Sequence, residues 1–364
     1  MTVALWARGP QSAGRTSGRG ARPGDRGQGE EKSMRRQSLA ACLLLPLIAC
    51  GGPASEPAAD TATPNVPAAT TTIALPEALT FPEGIAHDPS AGAIYTASAE
   101  NGAVARIEAA NGSAEIVVPP GTLVPAGSTT FPGPLGMTAA DGRLWVAGGL
   151  TGTVWVLDSS DGQVLKESTV PTAPRSLLND VAIAGDAAYI TDTFVPTLWR
   201  MSIDGDTIGD PEPWLDLSGS AIEYADGPNL NGIVATPDGA SLIVVQMNVG
   251  RLFRIDIETQ TITPIEVAGA DLTTADGLAL DGDILYVVRQ GAGEVATVRL
   301  DEDLAGGTVV SRFTENLSWP ATAAVIGDEL VVVNTQFNTR GSEPSTTERP
   351  FTLLRIPVAR LGVD

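Results

Sequence analysis

From Thr70 to the C-terminus, apolar residues come in short runs separated by turns rich in Gly, Asp and Asn, and no stretch keeps the 3.6-residue period of an amphipathic helix. The runs fall into repeating sets. Six hexamers can be stacked, FPEGIA at 81, GPLGMT at 133, LLNDVA at 177, NLNGIV at 229, TADGLA at 274 and WPATAA at 319, and each is expected to open a strand. Their third positions are spaced by 52, 44, 52, 45 and 45 residues, and after each come a turn and a second apolar run: IYTAS at 94, LWVAG at 144, YITDT at 189, LIVVQ at 242, LYVVR at 285 and LVVVN at 330. A third run follows in every unit, from AVARIE at 103 to FTLLRI at 351. Short antiparallel strands repeated six times with a blade-sized period predict an all-β fold, a six-bladed β-propeller over residues 70–364. The run TTTIAL at 70–75 is expected to supply the outer strand of the last blade and so close the ring.

The pattern changes upstream of Thr70. Residues 34–49 carry Arg35 and Arg36 and then an apolar run, Leu39 to Ala49, that is too short to span a bilayer. This predicts a signal peptide, and its end, Leu47-Ile48-Ala49-Cys50, has the form of a bacterial lipobox with Cys50 as the lipidated residue. Residues 1–33, rich in Gly and Arg, precede that signal and are set aside as a mis-called start or a disordered extension, with Met34 as the alternative start. Residues 50–69, Pro, Ala, Thr and Asp with little to bury, read as a flexible tether. The expectation is a lipid-anchored bacterial envelope protein, monomeric by default.

Composition narrows the chemistry. One His and two Cys in 364 residues leave no conventional zinc site, and both Cys lie in the first fifty residues, so the propeller has no disulfide. A Ser/His/Asp triad would have to use His87, which sits four residues along its strand from Glu83, toward the far turn. After Cys50 there remain 14 basic and 40 acidic residues, which argues against nucleic acid and for a hard cation.

The repeat gathers candidate ligands for that cation. In a propeller the inner strands line a central channel, so one repeat position forms a ring. The third hexamer position reads Glu83, Leu135, Asn179, Asn231, Asp276 and Ala321. Two carboxylates and two amides supply hard oxygen donors and two negative charges, which suits calcium at one site better than magnesium, an ion that prefers to keep its waters. Loops after the second strands return to the same face, and Gln246, Asn248, Gln290 and Asn334 are expected in the wall of a substrate pocket.

FPEGIA, LNDVAI, LNGIVATPDG and ADGLALDG together resemble the senescence marker protein, gluconolactonase and luciferin-regenerating enzyme-like family, over Leu75 to the C-terminus, and more distantly diisopropyl fluorophosphatase and paraoxonase. The resemblance implies a six-bladed propeller with a catalytic calcium held by Glu83, Asn179, Asn231 and Asp276. It implies that Asn179 also acts on substrate, that Asp180 stands behind the ligands, and that Asp276 is base or nucleophile in hydrolysis of a lactone, an ester or a phosphotriester. Three departures qualify it. Leu177 stands where sugar lactonases carry a substrate-binding Arg, Ala279 where diisopropyl fluorophosphatase carries an Asp for a second calcium, and the histidine proposed for paraoxonase has no counterpart. A non-catalytic envelope lipoprotein propeller that binds a small molecule or a protein remains the alternative, with a metal-independent, strictosidine synthase-like propeller as a third reading.

Overall fold

The computed structural model describes residues 68–342 and 345–363. The leader at 34–49, Cys50 and most of the 50–69 tether inferred from sequence lie outside the described residues. Nearly every regular element is a β-strand, and the strands group into six antiparallel meanders. Their inner strands are Pro82–Asp88, Met137–Ala140, Leu178–Ala184, Leu230–Ala235, Ala275–Asp281 and Pro320–Ile326. Each inner strand lies beside the next around a circle, and the sixth returns to the first, so the protein is a six-bladed β-propeller.

The second strands explain why the apolar runs are continuous. Ala93–Ser98, Ala187–Asp192, Ser241–Gln246 and Ile284–Arg289 are buried at every position. A blade is sandwiched between two neighbours, so both of its faces are covered and the two-residue alternation disappears. Alternation survives on the outer strands Val164–Thr169 and Gly306–Phe313, which have one wet face.

The core is correspondingly a ring of six apolar clusters, one at each blade interface. Tyr95, Leu144 and Trp155 join blades one and two, and Trp145, Ile190 and Trp199 join two and three. Tyr189, Val244 and Phe253 continue it, followed by Val245, Leu285 and Val298, then Tyr286, Leu330 and Leu354. Ile94, Ile107, Val331 and Leu353 close the circle between blades six and one.

Closure is covalently out of order. Thr71–Ala74 pairs antiparallel with the last strand, Thr352–Pro357, in the register Ile73 opposite Leu353. Ile73 is 6% exposed and belongs to the six–one cluster, so Ile73→Ala should lower unfolding free energy by about 2–4 kcal/mol. A denaturation midpoint equal to that of the parent would show that this strand does not hold the ring shut. One link does not follow from the repeat: the outer strands of blades four and five pair in parallel, Glu266 beside Gly306 through Ala268 beside Thr308, which fuses two blades into one eight-stranded sheet.

Candidate functional site

Five inner strands share one irregularity. Pro82 pairs with Ser98 and Ile85 with Thr96, so three steps on the inner strand match two on its partner. The same one-residue bulge falls between Leu178 and Val181, Leu230 and Ile233, Ala275 and Leu278, and Pro320 and Ala323. The bulged pairs are the third and fourth hexamer positions in each case. A bulge breaks the ladder and re-aims the side chains it carries. Glu83, Asn179, Asn231 and Asp276 all sit in it.

The fourth position explains how tightly the ring closes. It reads Gly84, Gly136, Asp180, Gly232, Gly277 and Thr322 around the circle. A methyl group on Gly84 would stand 2.2 Å from the Leu135 carbonyl oxygen, and one on Gly232 would stand 2.6 Å from that of Asp276. Only a hydrogen fits where neighbouring blades meet backbone to side at the channel. Asp180 breaks the glycine series and bridges two blades, accepting the Val181 N–H at 2.9 Å and the Ile233 N–H of blade four at 3.2 Å. Thr191 ties the same pair of blades, its Oγ1 donating to the Asn231 carbonyl at 2.6 Å.

All four oxygen-bearing ring residues are buried, Glu83 at 4% exposure and Asp276 and Asn231 at 1%. Burial pushes the Glu83 carboxyl well above the usual carboxylate range, and the negative charges of Asp276 and Asp180 push it the same way. Asp276 is raised well above that range too, chiefly by burial and further by Asp180, against hydrogen bonds from Asn231 and Gln290 that favour its charged form. Asp180 is pushed up to about 7 by its enclosure, although it is partly reachable along the channel. Glu83 Oε2 and Asn231 Oδ1 are wholly buried and meet no hydrogen-bond donor. Buried acceptors without donors are rare in native proteins. Two of them beside a pair of repelling carboxyls fit an oxygen-liganded divalent cation, whose charge would answer both the empty acceptors and the repulsion. Among the described residues no three His, Cys, Asp or Glu side chains stand together as a ligand set, so any such site draws on the two amides.

The residues expected in the pocket wall separate into two layers. The last residue of a second strand clamps the segment that leads into its own inner strand. Ser98 Oγ accepts the Thr80 N–H, Asp192 accepts the Leu177 N–H, and Asn334 Oδ1 accepts the Ser318 N–H. Gln246 belongs to this layer, donating to the Glu223 carbonyl at 2.8 Å and to Asn229 Oδ1 at 3.3 Å. Asn248 likewise donates to Asn229 Oδ1, at 3.1 Å. Gln246 and Asn334 thus spend their amides on the scaffold. The next residue along meets the ring instead: Gln290 Nε2 lies 2.5 Å from Asp276 Oδ2, and Asn231 Nδ2 lies 3.3 Å from Met247 Sδ. Met247 escaped the sequence reading because its polar neighbours drew attention, although it occupies the same loop position as Gln290.

Asp192 is a second omission. Fully buried, it accepts from the backbone of Leu177, Phe194 and Val195 and from Trp199 Nε1, and its carbonyl takes the Tyr224 hydroxyl at 2.6 Å. It pins the approach to Asn179. His87 lines the channel on the inner strand of blade one, in a cavity of about 190 Å³ that Asp180 and Thr322 also line. Burial lowers its pKa, partly offset by Asp88.

Apolar groups occupy the other sectors. Leu135 and Leu177 are buried with Phe81 and Phe337, and Phe131, Leu150, Phe194 and Trp319 pack against them half-exposed. Phe131 meets Phe337 edge-on with ring centres 5.2 Å apart, and the Arg340 guanidinium lies 3.7 Å above Phe131. Phe81, Thr274 and Trp319, the first hexamer positions of blades one, five and six, have left-handed backbone at φ 51°, 65° and 49°. Bulky residues pay for that conformation, and it is tolerated where the surroundings dictate it, commonly at sites.

Fold and site together define a β-propeller with a buried, oxygen-rich ring at one end of its channel. No protein-family model matches the chain, and no curated protein matches it by sequence. Solved structures do. The calcium-binding protein regucalcin from Agrobacterium tumefaciens str. C58 is 16% identical, over 78% of this chain and 92% of that one, with a TM-score of 0.54. A luciferin-regenerating enzyme is 13% identical over 79% and 95%, also at 0.54, and the WD40 repeats of RRP9 are 11% identical over 80% and 98%, at 0.56. A calcium-binding protein, an enzyme and a WD40 domain fit about equally well. The likeness therefore establishes the propeller and leaves the chemistry to the site.

Proposed function

We propose that the protein is a calcium-dependent hydrolase of lactones or related esters, with phosphotriesters as further candidates. The observation that carries this reading is the set of four oxygen donors at one repeat position, buried, with Glu83 Oε2 and Asn231 Oδ1 lacking any donor. Glu83, Asn179, Asn231 and Asp276 would hold one calcium. Bound there, calcium supplies a Lewis acid that polarises a carbonyl or phosphoryl oxygen and offsets the charge developing on it. Asp276 takes the proton of the attacking water or attacks directly, with one of its oxygens held by Gln290. Asn179 doubles as a substrate contact, and Asp180 braces the bulge behind it.

Substrate selection follows from the apolar sectors. Leu135 and Ala321 cannot ligate, and Leu135 lies with Leu177 in an apolar cluster against which the half-exposed Phe131, Phe194 and Trp319 pack. A polyhydroxylated lactone would lose hydrogen bonds to water there without replacement, whereas an alkyl or aryl group would lose none. The same reading places the protein, lipid-anchored through Cys50, as a monomer on the extracytoplasmic side of a bacterial envelope, without nucleic-acid partners. The ring's near-complete burial favours one rival, a binding propeller without chemistry.

Calorimetric titration of calcium into chelator-treated protein tests the reading, followed by an ester and lactone screen. One site, and turnover that disappears with chelator, is the expected result. Well-folded protein that binds no calcium would refute it, and calcium binding without turnover on any ester, lactone or phosphotriester would favour the binding propeller.

A further inference from the structure

In four blades the loop that follows the second strand starts at a fixed place. Its first residue gives its N–H to the carbonyl of the first hexamer residue: Ala99 to Phe81 at 3.1 Å, Thr193 to Leu177 at 2.8 Å, Met247 to Asn229 at 2.8 Å and Gln290 to Thr274 at 3.0 Å. These bonds fix the backbone at that position in blades one, three, four and five. In blade three the position is spent elsewhere, since Thr193 Oγ1 donates to the Leu230 carbonyl at 2.7 Å. In blade one it is an alanine. Among the described residues it reaches the ring side chain of its own blade in blades four and five, and there the chemistry is matched to the partner.

Asp276 is an acceptor, and Gln290 offers it a donor at 2.5 Å. Asn231 has one end that donates and one that accepts, and Met247 offers a thioether, which accepts weakly and cannot donate. The sulfur can therefore hold only the Nδ2 end, the same end that donates to the Asp276 carboxylate. If the amide turned over, Oδ1 would face the sulfur lone pairs and the N–H would occupy the place where a ligand oxygen is needed. Both residues are themselves locked, Met247 at 5% exposure and Gln290 at 1%.

We propose that Met247 and Gln290 are positioning residues that set which end of the Asn231 amide and which oxygen of the Asp276 carboxylate a bound calcium meets. The inference rests on the reading of the ring as a calcium site. For Asn231 the sulfur leaves Oδ1 free, and that oxygen is the buried acceptor without a donor. For Asp276 the glutamine holds Oδ2, while the Asn231 amide also donates to this carboxylate. Partners that orient a ligand in this way commonly change metal affinity by about 10–100-fold when removed.

The test is calorimetric calcium affinity of the full chain, with the unfolding midpoint in chelator as a second readout. Met247→Leu keeps the volume and removes the acceptor. It should weaken calcium about tenfold with the midpoint in chelator unchanged. Met247→Gln puts back an acceptor oxygen and should return affinity to within about threefold of the parent, and Gln290→Leu should weaken binding by about the same factor as Met247→Leu. Parent-like affinity in Met247→Leu, or equal weakening in Met247→Leu and Met247→Gln, would reduce Met247 to packing and overturn the proposal while leaving the calcium site intact. A parent protein that binds no calcium would instead overturn the site, and the positioning role with it.

Discussion

Asp276→Asn is expected to remove calcium binding and turnover together while making the calcium-free protein more stable at neutral pH. The two effects have one cause. Asp276 is buried at 1% exposure, its carboxyl is held well above the normal range by desolvation, and Asp180 and Glu83 repel its charge. Asparagine has the same shape, keeps an oxygen for the Gln290 donor, and carries no charge to bury. Removing one of two carboxylate ligands should weaken calcium by at least about a hundredfold, and losing the base should cost about 10³-fold or more in turnover. Relief of the buried charge should add about 1–3 kcal/mol to the stability of chelated protein. Calorimetry, an ester assay and denaturation in chelator read the three quantities separately. A variant that kept its turnover would take Asp276 out of the reaction, and one destabilised in chelator would show that the carboxyl serves the fold.

The second large effect is a dependence of stability on pH whose slope calcium reverses. Asp180 moves from an ordinary value of 3.8 to about 7 in the folded protein, and Glu83 and Asp276 shift in the same direction. The folded state then holds more protons than the unfolded state between those values, so unfolding free energy falls as pH rises. The contribution is fully present below about pH 4 and is lost by way of about pH 7 for Asp180, with Glu83 and Asp276 acting in the same direction. For Asp180 alone the loss is about 2–4 kcal/mol, the lower figure allowing for water that reaches it along the channel. With saturating calcium the carboxylates are charged and paired, and stability should rise over the same window. Binding should also release protons, visible as a calorimetric enthalpy that varies with the ionisation enthalpy of the buffer. A chelated protein equally stable at pH 5 and pH 8 would mean that these carboxyls are not held neutral.

Much of this protein is legible in one dimension because a propeller repeats. The hexamers and the buried second strands recur at intervals near fifty residues, and stacking them puts Glu83, Asn179, Asn231 and Asp276 in register before any coordinate is known. Closure by residues 71–74 was legible for the same reason, since a blade left with three strands needs a fourth. The bulge was not. Its residues read as ordinary strand, and the extra residue exists only relative to the partner strand, as in Pro82–Ile85 against Thr96–Ser98.

Side-chain allegiance was equally hidden. Gln246, Met247 and Asn248 are adjacent, and alternation sends the middle one to the ring and commits its neighbours to Asn229. Polarity drew attention to Gln246 and Asn248 as pocket wall and passed over Met247, because a thioether looks like core until its hydrogen-bond partner is seen. Residue type and period thus determined the six-bladed ring and which side chains could bind a cation. Contact between blades decided which oxygens lie buried without donors and in which direction the carboxyl pKa values move, and strand pairing within blades four and five put Met247 and Gln290 behind them. Those quantities depend on groups far apart in sequence: strand pairing within blade five brings Gln290 to Asp276, and only the closed circle brings Glu83 within reach of Asp276.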